Sequence, residues 1–176
     1  MKHMLQLSAS LLDRPVLSLR TGGTIARTIS PIIDPNNLKI EGFHCQDVLE
    51  RRQPVLLSQD IRDVLPQGIV VNDHEALTGA EDIIRLKGVL DLNFRILGKK
   101  VVTVSKQRLG RVEDFATDTQ SMYIQKLYAV PTLIKSFTGS QLSIDRSQIV
   151  EITSSTIIVQ DLAVPASSAM PSPAQA

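Results

Sequence analysis

The stretch that decides the fold is Thr24–Phe43, TIARTISPIIDPNNLKIEGF, because a second stretch of the chain repeats its pattern. Laid on Arg108–Leu127, RLGRVEDFATDTQSMYIQKL, at an offset of 84 residues, it places apolar residues on apolar residues. Three positions are identical at this offset: Arg27 and Arg111, Asp34 and Asp118, Ile40 and Ile124. Self-similarity at a fixed offset indicates a duplicated unit.

A second pair of blocks extends the repeat. Asp60–Asp73, DIRDVLPQGIVVND, matches Gln148–Asp161, QIVEITSSTIIVQD, at an offset of 88. Two blocks in the same order, with four residues inserted in the second copy, predict a first repeat at 5–75 and a second at 96–162. We expect residues 10–75 and 96–162 to superpose as equivalent small barrels.

Both copies carry the pattern of short β-strands. Val16–Leu19 and Val101–Val104 are rich in β-branched residues, and Gly, Pro, Asn and Asp clusters such as Asp34–Asn37 separate the runs. Short polar turns of this kind close antiparallel hairpins. The predicted fold class is therefore mostly β, with two tandem small barrels whose closure removes exposed strand edges.

The segment between the copies, 76–95, has a helical period. Thr78 and Glu81 have the spacing of a capping box, and apolar residues follow at Ile83, Leu86 and Leu90. We expect an amphipathic helix over Gly79–Leu92 that docks one copy beside the other. A second, shorter helix is expected at 9–12, capped by Ser8, and the Ala, Pro and Ser-rich tail 163–176 is expected to be disordered.

The second copy also contains the motifs of a known family. Gln107–Asp114, QRLGRVED, precedes an acidic turn at Asp118, and Ile144–Ile152, IDRSQIVEI, precedes the strand Thr156–Val159. This pattern resembles the PRC-barrel domain, a small β-barrel found in the H subunit of photosynthetic reaction centres and at the C-terminus of the ribosome maturation factor RimM. The resemblance covers nearly all of 10–162 as two copies, and the first copy departs from it by placing Ala26 where the second has Gly110.

Composition excludes several classes of protein. The 176 residues are 43% hydrophobic and 21% charged, which excludes wholesale disorder. Nineteen basic and eighteen acidic residues leave a net charge of +1, whereas proteins that bind nucleic acids through phosphates carry a basic excess. No apolar run is long enough for a secretory signal or a membrane span, so we expect a cytoplasmic protein.

Candidate chemical groups are few. His44 and Cys45 invite a metal or nucleophile interpretation, but adjacent residues of a strand point to opposite faces, so we expect no metal site there. The remaining histidines, His3 and His74, are scattered. The acidic pairs Glu81-Asp82 and Glu113-Asp114 are not expected to act as general acid and base, because no cleft separates their pKa values. Arg27 and Arg111 are expected to brace a turn through carbonyls or through Asp34 and Asp118.

Basic residues cluster in the second copy. They are Lys99, Lys100, Lys106, Arg108 and Arg111, whereas the first copy has only the pair Arg51-Arg52. A single-strand RNA platform also needs exposed aromatic side chains, and Phe115, Tyr123 and Tyr128 alternate with apolar neighbours as core residues do. Weak RNA binding is the most that this pattern predicts.

No catalytic residue, cofactor or metal is predicted. The resemblance implies a non-enzymatic protein that binds a protein partner as an interaction or assembly adaptor. The alternative is a ribosome-maturation-like factor that contacts a ribosomal protein and rRNA. The basic cluster is the feature that separates the two hypotheses, because RNA binding through phosphates depends steeply on salt.

Overall fold

The computed structural model of the protein describes residues 4–131 and 141–161. The described chain is mostly β, as predicted, and forms two seven-stranded sheets and one short α-helix. The predicted disordered tail, 163–176, lies outside the described residues. The first strand along the chain, β1 (Leu5–Leu7), belongs to the second sheet.

The first sheet uses the next seven strands. They are β2 (Pro15–Ser18), β3 (Thr24–Asp34), β4 (Lys39–Asp47), β5 (Val55–Leu57), β6 (Ile61–Leu65), β7 (Gly68–Val71) and β8 (Leu77–Thr78). Their order across the sheet is β6-β7-β2-β3-β4-β5-β8. All neighbours are antiparallel except β2 and β7, which run parallel.

The second sheet repeats this order. Its strands are β9 (Lys100–Thr103), β10 (Arg108–Asp118), β11 (Ile124–Val130), β12 (Leu142–Asp145), β13 (Ile149–Ile152) and β14 (Thr156–Val159), together with β1. The order is β12-β11-β10-β9-β14-β13, and β9 and β14 are again the parallel pair. Strand β1 pairs with the second half of β10.

The strand register repeats as well. In the central hairpin, Arg27 is opposite Gln46 in the first sheet and Arg111 is opposite Val130 in the second, an offset of 84 on both strands. Register shifts fall between Thr28 and Ser30 and at the matching position between Val112 and Asp114. The outer hairpins repeat at an offset of 88, because the connection between β4 and β5 is 48–54, whereas the matching connection between β11 and β12 is 131–141 and four residues longer.

Each sheet is strongly curled. Strands β5 and β6 lie near opposite ends of the first sheet's strand order, yet a single 3-10 turn, Ser58–Asp60, joins them. The matching turn, Arg146–Gln148, joins β12 and β13. A connection of three residues can link distant strands only when the sheet bends around its apolar face.

The tips of the two central hairpins cross each other. Each tip begins with the repeated aspartate, whose Oδ1 accepts the N–H of the residue two positions on, Asn36 after Asp34 and Gln120 after Asp118. Each tip ends on a buried residue in the left-handed region, Leu38 (φ 55) and Met122 (φ 59).

Reciprocal backbone hydrogen bonds then join the tips. The N–H of Ile40 donates to the oxygen of Met122 at 2.8 Å, and the N–H of Ile124 donates to the oxygen of Leu38 at 2.9 Å. Lys39 faces Tyr123 across this crossing in an antiparallel bridge. The buried apolar side chains of both sheets form one continuous core through it.

The segment between the sheets is less helical than expected. The α-helix α1 covers only Lys87–Leu92, and 3-10 turns at Ala80–Asp82 and Ile84–Leu86 precede it. Gly79 is the N-cap, and no side chain caps the turn, so the expected capping box does not form. Two residues of the predicted apolar face are nevertheless buried. Ile83 and Leu86 pack against Ile32, Val55 and Leu57 of the first sheet.

Two expectations for the N-terminus were also wrong. The expected helix at 9–12 is a 3-10 turn at Ser8–Ser10 without a side-chain cap. Residues Leu5–Leu7, assigned above to the first repeat, form β1 and pair with β10 in the second sheet. The physical reason is that β10 extends beyond β9, which leaves Ala116–Asp118 with an edge that another strand can cover.

Candidate functional site

His44 and Cys45 lie in different environments. The Cys45 side chain is fully buried, and burial raises the pKa of its thiol to about 12. His44 is half-buried in a separate cleft beside Ile29, and burial lowers the pKa of its imidazole. No group of three potential metal ligands occurs among residues 4–131 and 141–161.

A buried carboxylate that the sequence did not single out lies at the end of β4. The Asp47 side chain has no exposed surface; its Oδ1 accepts the backbone N–H groups of Leu49 and Glu50, and its Oδ2 contacts Arg52 Nε at 3.2 Å and His74 Nε2 at 2.9 Å. Burial alone would raise the pKa of Asp47, but these hydrogen bonds hold it below its ordinary value. In the sequence, Asp47 and Glu50 have the spacing of a capping box, and this spacing is the signal that could have pointed to Asp47.

The Asp47 cluster is an anchor for the loop after β4. Two backbone donors and two side-chain donors around one buried carboxylate fix the loop to the turn that carries His74. The groups that contact Asp47 include no hydroxyl or thiol that His74 could activate. Among the described residues, the contacts of Asp47 are those that hold the loop in place.

The two acidic pairs lie in different surroundings. Asp114 Oδ1 accepts the backbone N–H of Phe115 at 2.7 Å and that of Ser8 at 3.2 Å, so it fixes the N-terminal segment to β10. Glu113 accepts a bond from the Gln141 amide on the surface. Glu81 and Asp82 lie in the exposed 3-10 turn after Gly79.

The repeated arginines bind carbonyl groups. Arg27 donates to the carbonyl oxygen of Asp13 and lies 3.1 Å from its carboxylate, while Arg111 donates to the carbonyl oxygen of Gly98 at 2.9 Å. Asp13 and Gly98 both have positive φ, and they lie just before β2 and β9, which are matching strands of the two sheets. The expected bracing thus occurs at the turn that enters β2 or β9, not at the hairpin tip.

The structure divides the predicted basic cluster. Lys99 lies over the ring of Phe94 at 4.7 Å and donates to the carbonyl oxygen of Ser154, and burial lowers the pKa of its ammonium group. Lys106 occupies a tight turn with φ 67. The other three cations, Lys100, Arg108 and Arg111, line one groove.

We call this feature the basic groove. It opens between β9 and β10, has a volume of about 510 Å³, and has an apolar floor formed by Val102, Leu109 and Pro131. None of its three cations forms an ion pair with a carboxylate in the described part of the chain. The first sheet has Pro15 and Thr24 at the positions of Lys100 and Arg108, so two of the groove's three charges occur only in the second sheet, while Arg111 matches Arg27.

The predicted aromatic core is partly observed. Phe115 is fully buried, whereas Tyr123 and Tyr128 are half-buried. Tyr123 carries the guanidinium of Arg146 at 4.6 Å from its ring centre. None of the three lines the basic groove.

Comparison with known proteins identifies no family. No protein-family model matches this chain, and no curated protein matches it. Within the described residues, no helix has the length and apolar character needed to cross a membrane.

Proposed function

We propose that this protein is a non-enzymatic cytoplasmic adaptor that binds a protein partner through the basic groove. The observation that carries the proposal is the set of three cations, Lys100, Arg108 and Arg111, around an apolar floor. Such a groove suits an acidic segment of a partner that also places an apolar side chain on the floor. The charges would set orientation and association rate, and the apolar contact would supply affinity.

We further propose that each sheet is a PRC-type barrel, so that the chain holds two in tandem. Three features support this proposal: the repeated strand order, the parallel pairing of β2 with β7 and of β9 with β14, and the strong curl. The residues that carry the resemblance also have defined structural roles. Gly110 lies in a β-bulge, and Asp145 and Gln148 form a capping box.

RNA is the alternative partner, as in a ribosome-maturation-like role, because the same cations could bind phosphates. Single-strand RNA surfaces combine cations with aromatic side chains that stack on bases. The described residues that line the basic groove include no aromatic, and the nearby Phe94 is covered by Lys99. These contacts favour an acidic protein segment.

Two labelled probes test the proposal by fluorescence anisotropy. One is a synthetic peptide in which aspartates alternate with leucines, and the other is a uridine homopolymer. We expect the peptide to bind, and we expect Lys100→Glu/Arg108→Glu to weaken its affinity at least about tenfold. Arg51→Glu/Lys87→Glu is the matched control, because both residues are exposed, lie away from the groove and change the net charge equally.

Tighter binding of the RNA would overturn the proposal in favour of the ribosome-linked role. In that case affinity should fall with salt at a log-log slope near ~0.7 per phosphate contact. Equal loss of peptide binding in the groove variant and in the control would show that only net charge matters, which also contradicts the proposal.

A further inference from the structure

The crossing of the two hairpin tips creates a pair of related clefts. In each, the tip of one sheet lies against the 3-10 turn of the other. The first lies between Gln120 and Ser121 of the second sheet and Ser58 and Gln59 of the first; we call it the junction cleft. Its counterpart lies between the tip at 35–38 and Arg146.

The two clefts differ in what fills them. In the counterpart, the guanidinium of Arg146 stacks on Tyr123, and the remaining volume is about 170 Å³. In the junction cleft the matching positions are Ser58 and Lys39, which form no such stack, and the volume is about 440 Å³. The two clefts therefore have the same backbone arrangement, but side chains fill much of the counterpart, whereas the junction cleft is open.

The junction cleft is polar and carries a positive excess. Lys39 Nζ is 3.4 Å from Glu41 Oε2, so this pair is close to neutral. Arg85, from the segment between the sheets, donates to the neutral amide oxygen of Gln59 at 2.7 Å, and no carboxylate among the described residues forms an ion pair with it. Hydroxyl and amide groups of Ser121 and Gln120 complete the opposite wall.

We propose that the junction cleft binds a small organic oxyanion, a compound with a phosphate or carboxylate group, in addition to the protein partner of the basic groove. The guanidinium of Arg85 is the main anchor, because its planar donors match the oxygens of either group. Lys39 and the wall of Gln120 and Ser121 supply further donors. A volume of about 440 Å³ lies in the range of small-molecule sites and exceeds that of a bare ion.

Because its walls come from both sheets and from the segment between them, a bound oxyanion would tie these three parts together. A ligand that binds only the folded protein raises its melting temperature as its concentration rises. Binding should therefore appear both as amide shifts at Arg85 and Ser121 and as a higher Tm.

The experiment titrates the full chain with inorganic phosphate, glycerol 3-phosphate and succinate up to about 10 mM, followed by amide chemical shifts and by Tm. We expect at least one organic probe to bind more tightly than inorganic phosphate. Arg85→Gln should weaken that binding at least about tenfold, and Lys87→Gln, at a neighbouring exposed position, should leave it unchanged. The phosphate and carboxylate probes distinguish the two headgroups.

A second variant tests the comparison between the clefts. Lys39→Tyr/Ser58→Arg copies the stacked pair of the counterpart and should fill the junction cleft, which abolishes binding while the circular dichroism spectrum is retained. The proposal is overturned if no organic probe shifts these amides, if only inorganic phosphate binds, or if Arg85→Gln binds as tightly as the natural chain. Peptide binding at the basic groove should be unaffected by these variants, so the two proposals can fail separately.

Discussion

Six strands of each sheet pair in the same order and register, yet the two sheets secure the end of the central hairpin differently. In the first sheet, β4 ends at Asp47, whose buried carboxylate fixes the following loop. The matching position in the second sheet is Pro131, where the longer connection begins and where the basic groove lies. One sheet uses this position for an internal anchor, and the other leaves it at the edge of an open groove.

This difference shows where the two halves are constrained and where they are free to diverge. Apolar positions of the strands, such as Phe43 and Leu127, occupy the same place in both cores because packing fixes them. Polar positions around that framework have changed, as with Ser58 and Arg146 or Thr24 and Arg108. Both proposed binding sites include such changed positions, which is where we expect function to reside.

Among variants that test the difference between the two sheets, we expect the largest loss of stability at the β-bulge of β10. Gly110 has a φ of 136, and a Cβ there would lie 2.0 Å from the backbone oxygen of Val130. Gly110→Ala should therefore lower the free energy of unfolding by about 3 kcal/mol or more. Ala26→Gly, at the matching position of the first sheet, should cost only about 1 to 2 kcal/mol through a lost methyl and added chain entropy.

Equilibrium unfolding in urea measures both variants. Equal costs for Gly110→Ala and Ala26→Gly would contradict the claim that only the second sheet needs a glycine in its bulge. Restoration of stability in Gly110→Asn, compared with the alanine variant, would also argue against the steric cause, because asparagine carries the same Cβ.

The next effect concerns the Asp47 anchor and depends on pH. Asp47→Asn should lower the free energy of unfolding by about 2 kcal/mol near neutral pH, because the buried donors lose their carboxylate. The pKa of Asp47 in the folded protein lies below its ordinary value of 3.8. Its contribution is therefore complete above that value and is lost as the pH falls through the lower folded pKa.

Unfolding measured at a series of pH values tests this sign. The difference between the natural chain and Asp47→Asn should be present at about pH 5 and should shrink as the pH falls below 3.8. A difference that stays constant into the acid range would show that the charge of Asp47 is not what holds the loop.

The repeat and the mostly β class could be predicted from the sequence because strand pairing keeps a period along the chain. The offsets of 84 and 88 reappear as the offsets of the strand pairs. The extent of the helix could not be predicted from the sequence, because burial of Ile83 and Leu86 against the first sheet overrides local helix signals. The pairing of β1 with β10 has no local signal either, since it joins residues more than one hundred positions apart.

The candidate sites were even less visible in the sequence. The sequence pattern indicated the basic cluster near Lys99. It could not show that Lys99 packs on Phe94, nor that Arg111, Lys100 and Arg108 line one groove beside a β-bulge. The junction cleft combines residues of four separate segments of the chain, so only the folded chain brings them together.

A smaller effect is expected at Cys45. The matching position of the second sheet is Ala129, which is equally buried, so Cys45→Ala should cost only about 1 kcal/mol. Burial and a thiol pKa of about 12 should also keep the natural chain unreactive toward a thiol reagent until it unfolds. Rapid modification of Cys45 in the absence of urea would contradict the packing, and loss of peptide binding in Cys45→Ser would contradict its purely structural role.

The smallest effect on stability is expected at the two repeated arginines, which we expect to differ in peptide binding instead. Both are exposed and donate to a carbonyl just before β2 or β9, so Arg27→Gln and Arg111→Gln should each lower the free energy of unfolding by less than about 1 kcal/mol. Only Arg111 also lines the basic groove. We therefore expect Arg111→Gln to weaken binding of the acidic peptide several-fold, whereas Arg27→Gln leaves it unchanged. Anisotropy with both variants decides this, because equal peptide affinities would mean that Arg111, like Arg27, serves only its turn.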